Sequence, residues 1–160
     1  MRRVIFLALT YVLIPLSRGY GQAIVSPGIK LSVLLGEKPS WSYGIEVSYS
    51  VLREYNRGII PVLSYGVVAD IDLFRENIRF HLGAEAAYLA GLESGVTMVV
   101  ASQDVLWGWR SSLYIPTLPF ANSHIVIYPY FGYSTLTKGP DIYEIGSFFK
   151  VYPFKVSFDE

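Results

Sequence analysis

The chain of 160 residues places its charges with a regularity that has chemical consequences. Lys30, Glu46, Asp70, Asp72, Arg79, Glu85 and Arg110, with His81 beside them, share one parity within stretches of alternating character. Charges gathered on the inner side of a closed wall must pair, because an isolated one costs on the order of several kcal/mol or gives up its ionisation. A turn at Arg75 and Glu76 sets Asp72 opposite Arg79 and Asp70 opposite His81, which predicts a structural ion-pair ladder with Arg110 reaching across toward Glu46 or Glu85. The same residues open a catalytic reading, with His81 as base and Asp70 orienting it, but that chemistry needs a nucleophile nearby. Ser64 shares the parity, yet it falls opposite Ala87, six residues along the strand from His81. Two histidines 43 residues apart and no cysteine predict no metal-ligand cluster and no cofactor.

Composition narrows the setting. Apolar residues make up 52% of the chain, aromatic residues 16% and charged residues 16%, where soluble domains carry ~25% charge. Mean hydropathy is +0.37. The aromatic content excludes disorder, the absence of a glycine period excludes collagen, and the lack of cysteine excludes a disulfide scaffold. Formal charge is zero with the basic residues scattered, so nucleic acid is not an expected partner. The length suits one domain.

The elements that must position the charges are strands. In the cleanest stretch, Trp41, Tyr43, Ile45, Val47, Tyr49 and Val51 share one face and Ser42, Gly44, Glu46, Ser48 and Ser50 the other. Next, Ile59, Pro61, Leu63, Tyr65, Val67, Ala69, Ile71 and Leu73 oppose Gly58, Ser64, Gly66, Asp70 and Asp72; then Ile78, Phe80, Leu82, Ala84 and Ala86 oppose Arg79, His81, Gly83 and Glu85. Shorter versions run through Ile29 to Leu35, Val96 to Val100, Trp107 to Ile115 and Ile125 to Tyr133, and Tyr143 to Phe158 makes an eighth segment. Short polar clusters, including Leu92 to Ser94, read as the hairpin turns between them. Eight segments of about 10 residues match the length of a tilted transmembrane strand and the smallest bacterial barrel.

Residue size decides which face is inside. The apolar face carries Trp, Tyr, Ile, Leu and Val, whereas the polar face alternates Gly and Ser with a few long charges. An eight-stranded interior is only wide enough to be filled by its own side chains, so the polar face fits the lumen and the bulky apolar face must meet lipid. Leu63, Tyr65, Phe80, Leu82 and Ile127 are therefore expected on the outside. A secreted, soluble, lipocalin-like binding barrel is the alternative, and it would reverse the facing. Trp41, Trp107 and Trp109 all open even-numbered segments, which predicts an aromatic girdle at one rim. The fold class expected is all-β, an eight-stranded antiparallel up-and-down transmembrane β-barrel preceded by a cleaved signal peptide.

Residues 1–23 supply that signal. Arg2 and Arg3 form a positive head, Val4 to Leu16 an apolar run, and Gly21-Gln22-Ala23 a small-x-small cleavage site. The run is too short for a spanning helix and is cut off by Pro15, Ser17 and Arg18. The mature barrel is expected over residues 24–160. Cleavage removes three arginines from the 13 basic residues, leaving 10 against 13 acidic ones, a net charge of −3.

From Pro27 to Phe158 the chain resembles the small eight-stranded outer-membrane β-barrels of Gram-negative bacteria. Tyr152, Phe154, Val156 and Phe158 look like the terminal alternating signal that the barrel assembly machinery of such bacteria reads. That register puts Lys150 on the lipid side, whereas Ile145, Phe149 and Val151 call for the opposite one, and a bulge near Pro153 reconciles the two. The resemblance implies location in the outer membrane, with lipid and lipopolysaccharide as neighbours, and a structural or surface-interaction role rather than a general diffusion pore. Lipid A deacylases share the architecture and are the enzyme alternative. Their His-x-Ser motif is not matched here, since His81 is followed by Leu82-Gly83 and His124 by Ile125-Val126. The lipid A palmitoyltransferases place their catalytic groups at the outer loops, where neither histidine is expected. No catalytic constellation is expected.

Overall fold

A computed structural model of the chain describes residues 22–35, 39–53, 63–88, 90–102, 104–115 and 123–156. These form β1 (Gln22–Leu35), β2 (Ser40–Arg53), β3 (Leu63–Phe74), β4 (Asn77–Ala87), β5 (Gly91–Val100), β6 (Val105–Tyr114), β7 (Ser123–Leu136) and β8 (Ile142–Val156). Every strand pairs antiparallel with its sequence neighbours, and β8 returns to β1 from Gly28 opposite Lys150 to Leu35 opposite Tyr143. The sheet is a closed up-and-down barrel, and closure leaves no unpaired edge for lipid to meet.

Alternation fixes the facing. Trp41, Leu82 and Ile45 are 73%, 66% and 61% exposed on the outer wall, whereas Lys30, Arg79 and Arg110 are wholly enclosed. Phe80 is exposed with Leu82, Tyr65 and Ile127 are half-buried, and Glu46 and Glu85 turn inward. The side chain of Leu63 lies outside the described residues. A bulky apolar exterior around a polar interior is the facing a bilayer demands and a water-soluble barrel cannot carry, so the barrel is a transmembrane one. Trp41 and Trp107 are exposed near the starts of β2 and β6, whereas Trp109, also exposed, is the fifth of ten residues in β6 and lies mid-wall, so the expected single-rim girdle holds for two of the three tryptophans.

Three expectations need amending. Leu92 to Ser94, read as a turn, belong to β5, and the preceding connection falls at residues 88–90. Gln22 and Ala23 pair in β1 opposite Leu52 and Val51, and residues 1–21, which hold the rest of the expected signal, are outside the described ones. Lys150 is buried in the lumen and not on the lipid side. The cause is the cost of a lone ammonium in hydrocarbon, set against two carboxylates waiting inside. Tyr152 follows the same parity and bonds the inward Tyr128 hydroxyl at 2.6 Å, so it does not share a lipid face with the proposed terminal signal. The ladder to β7 shifts beyond this point, from Ile125 opposite Val151 to Ser123 opposite Val156, which places an irregularity around Pro153. The side chains of Phe154 and Val156, and all of Phe158, are outside the described residues.

Candidate functional site

The lumen is built in layers. At the end bearing the Arg75-Glu76 turn, Leu34, Phe74 and Val99 form an apolar plug backed by Leu106, Leu136 and Ile142. At the other end Tyr114, Tyr130 and Phe148 form a second plug, backed by Ala87 and Tyr128. Phe148 stacks on Tyr130 with centroids 4.2 Å apart and meets Tyr114 edge-on. The polar groups between the plugs are sealed from water, so each must be satisfied by another side chain.

The first cluster follows the hairpin register, which sets Asp72 opposite Arg79 and Asp70 opposite His81. Arg79 forks onto Asp72 at 2.8 and 2.6 Å and reaches Glu144 at 2.7 Å. Lys30 bonds Asp72 and lies 3.2 Å from Asp70. Arg110 touches three carboxylates: Asp70 at 2.7 Å, Glu144 at 2.8 Å and Glu93 at 3.0 Å. A planar guanidinium offers five donors in a fixed fork and so holds two bonds on one carboxylate while reaching another, which suits arginine to both central positions. Each arginine also faces a ring of the nearer plug, Arg79 over Phe74 and Arg110 over Tyr130.

The second cluster is smaller. Lys150 lies 2.7 Å from Glu46 and 3.0 Å from Glu85, and Ser50 donates to Glu85. The rings of Tyr114, Tyr128 and Phe148 surround its ammonium at 5.7 to 5.9 Å from their centroids. The expectation that Arg110 would serve Glu46 or Glu85 is corrected here: Lys150 takes both, and Arg110 turns to Asp70, Glu93 and Glu144.

Space for these long side chains comes from glycines on the facing strands. Gly44 stands opposite Asp72 and Gly132 opposite Glu144. A Cβ at Gly132 would lie 2.6 Å from the Glu144 side chain, and one at Gly44 would meet the Asp72 carboxylate. A narrow barrel can hold a buried carboxylate only where its neighbour gives up a side chain.

All eight residues read as inward from the sequence, Lys30, Glu46, Asp70, Asp72, Arg79, His81, Glu85 and Arg110, are buried in this lumen. Glu93, Glu144 and Lys150 complete the network and were missed. Parity would have found them: Glu93 is two residues before the inward Gly95, and Glu144 and Lys150 oppose the outward Ile145 and Val151. Asp70, His81 and Glu93 bring one ligand atom each within 4.8 Å of one another, three donors together where the sequence had shown no cluster. Among the described residues neither ring nitrogen of His81 has a hydrogen-bond partner, and its Nε2 lies 3.0 Å from Glu93 Oε1.

No protein family and no curated protein matches the sequence. Among solved structures the chain is similar to two of Ail, the attachment invasion locus protein of Yersinia pestis, one of them in complex with the heparin analogue sucrose octasulfate. Each is 14% identical and covers 82% of this chain and 97% of that chain, with TM-scores of 0.34 and 0.29. Independently of that likeness, the closed ladder, the apolar exterior and the polar, side-chain-filled lumen make this chain a small eight-stranded antiparallel β-barrel with the facing of a transmembrane one.

Proposed function

We propose that the protein is an integral outer-membrane barrel with a structural role in the envelope, not a diffusion pore and not an enzyme. The observation that carries this reading is the sealed lumen, in which Lys30, Asp72, Arg79, Arg110 and Glu144 are wholly enclosed between two apolar plugs. A pore needs a continuous water column, and eight strands with these side chains leave none. Surface interaction is the broader role open to such barrels, but this chain has little reach for it. With the strand termini in the periplasm, the outward end carries the connections after β1, β3, β5 and β7, none longer than five residues. Lipid and lipopolysaccharide are then the immediate neighbours of the outer wall, with the barrel assembly machinery expected to insert the chain.

The test is fractionation followed by electrophoresis with and without boiling, and a planar-bilayer recording of the purified protein. A heat-modifiable band in the outer membrane, with no porin-sized conductance, is the expected result. Recovery in a soluble fraction would return the lipocalin-like alternative, and a large steady conductance would defeat the sealed-lumen reading.

A further inference from the structure

The lumen is short of positive charge. Among the described residues it encloses six carboxylates, Glu46, Asp70, Asp72, Glu85, Glu93 and Glu144, against four fixed cations, Lys30, Arg79, Arg110 and Lys150. With a neutral histidine the balance is −2. Buried charge left uncompensated is costly, so some cation or proton must enter.

The imbalance coincides with a site. Asp70, His81 and Glu93, from the adjacent strands β3, β4 and β5, hold three ligand atoms within 4.8 Å of one another. The His81 side chain is fully buried, and neither of its ring nitrogens makes a hydrogen bond. Its Nε2 lies 3.0 Å from Glu93 Oε1 without the alignment of a donor and acceptor. The Asp70 oxygen Oδ1 also lacks a hydrogen bond, with Lys30 at 3.2 Å as its nearest charge. The next inward residue on β4 is Gly83, whose missing Cβ would lie 2.7 Å from that Nε2, so no side chain covers the nitrogen there.

We propose that Asp70, His81 and Glu93 bind one divalent first-row transition ion, with Zn²⁺ the best match. One divalent charge closes the deficit of two. One imidazole nitrogen with two carboxylate oxygens is a donor set that zinc accepts, and the ion takes Asp70 through the oxygen that Arg110 leaves free. Arg110 keeps its bonds to Asp70 Oδ2 and Glu144, yields Glu93 Oε1, which it meets at 3.0 Å, to the ion, and orients the first carboxylate from behind, as a supporting partner does at metal sites. Lys30 keeps Asp72. The ion pins the three adjacent strands β3, β4 and β5, a structural role.

The experiment uses the untagged full barrel in detergent micelles, stripped with chelator and titrated with Zn²⁺ by calorimetry and with Co²⁺ by visible absorption. One ion per barrel is expected, with affinity reduced roughly tenfold or more in His81→Gln and Glu93→Gln and unchanged in His124→Gln, which alters the exposed histidine beyond the lumen. A heat-modifiable band verifies that each variant folds. Should His81→Gln fail to fold, the wild-type barrel still decides: Zn²⁺ must raise its thermal midpoint and chelator must reverse the rise. No binding to the wild type, or binding that survives His81→Gln, overturns the proposal. These readouts do not depend on where the barrel resides in the cell, so a failure of the outer-membrane reading is seen separately, in fractionation.

Discussion

The two ion clusters in this lumen differ in how they spread risk. In the larger one nearly every carboxylate has two cationic neighbours: Asp72 touches Lys30 and Arg79, Asp70 touches Lys30 and Arg110, and Glu144 touches Arg79 and Arg110. In the smaller one a single ammonium serves both Glu46 and Glu85, and Glu46 has no hydrogen bond from any other group. A buried network of forked arginines therefore tolerates losing one member better than a cluster built around one lysine. The number of charges is a poor guide to fragility; the number of partners per charge is a better one.

The largest effect is accordingly expected at Lys150. Lys150→Met keeps the length and apolar packing among Tyr114, Tyr128 and Phe148 but strands two carboxylates, and the unfolding free energy in micelles is expected to fall by about 3–5 kcal/mol. Glu46→Gln in the same chain should recover part of that loss, because it removes the less well satisfied of the two charges. If the double variant is no more stable than Lys150→Met, the cluster is not held by charge pairing.

Arg79→Ala comes next. Asp72 retains Lys30 and Glu144 retains Arg110, so the expected cost is about 2–3 kcal/mol, below that at Lys150 despite Arg79 being the more deeply enclosed. Arg79→Lys should recover only part, since an ammonium cannot reproduce the two bonds to Asp72 together with the one to Glu144. An exposed turn charge, Lys138→Ala, supplies the baseline and is expected to stay within about 0.5 kcal/mol of the parent. Equal midpoints for Arg79→Ala and Lys138→Ala would show that the larger cluster adds nothing to stability.

The comparison also shows which parts of the lumen were legible in the sequence. The Asp72–Arg79 and Asp70–His81 pairings follow from a two-residue turn, in which Arg75 takes a positive φ of 52° suited to a tight hairpin. Local register is readable because period-two alternation leaves no freedom once the turn is placed. Cross-lumen partners are not readable in this way. Arg110 meets Glu144 and Lys150 meets Glu46 from two strands away, and Lys150 meets Glu85 across the barrel, so those pairs depend on closure or stagger that no single hairpin encodes. Glu93 was hidden differently: beside Gly91 and Ser94 it looked like turn composition, whereas the glycine opens room inside for the Tyr114 ring. The two apolar plugs escaped notice because Phe74, Val99 and Phe148 break the polar parity of the inner face in favour of sealing it.

Glycine makes a further, smaller distinction between the clusters. Gly132 faces Glu144 in the larger one, and a methyl group there would come within 2.6 Å of that side chain. Gly132→Ala must displace a carboxylate already fixed by two arginines, so the expected loss is about 1–2 kcal/mol from overpacking. Addition of Glu144→Gln should not relieve it, because the conflict is steric. Relief by that change would mean that the charge and not the space was at fault.

The smallest expected effect lies outside the lumen and calibrates the rest. On the lipid face Trp109 Nε1 donates to Ser94 Oγ at 2.9 Å, and Ser94 in turn lies 2.6 Å from the Ser111 hydroxyl. Trp109→Phe keeps an aromatic ring at the position while deleting this one neutral donor. The two serines still satisfy each other, so no polar group is stranded, and the expected loss is about 0.5–1 kcal/mol, the net worth of an ordinary hydrogen bond. Measured beside Lys150→Met in the same micelles, it separates two explanations of fragility. If charge pairing sets the order, the lysine variant falls several-fold further than the tryptophan variant. If both fall equally, the barrel responds to any lost polar contact alike, and the contrast between the singly held and doubly held clusters has no energetic content.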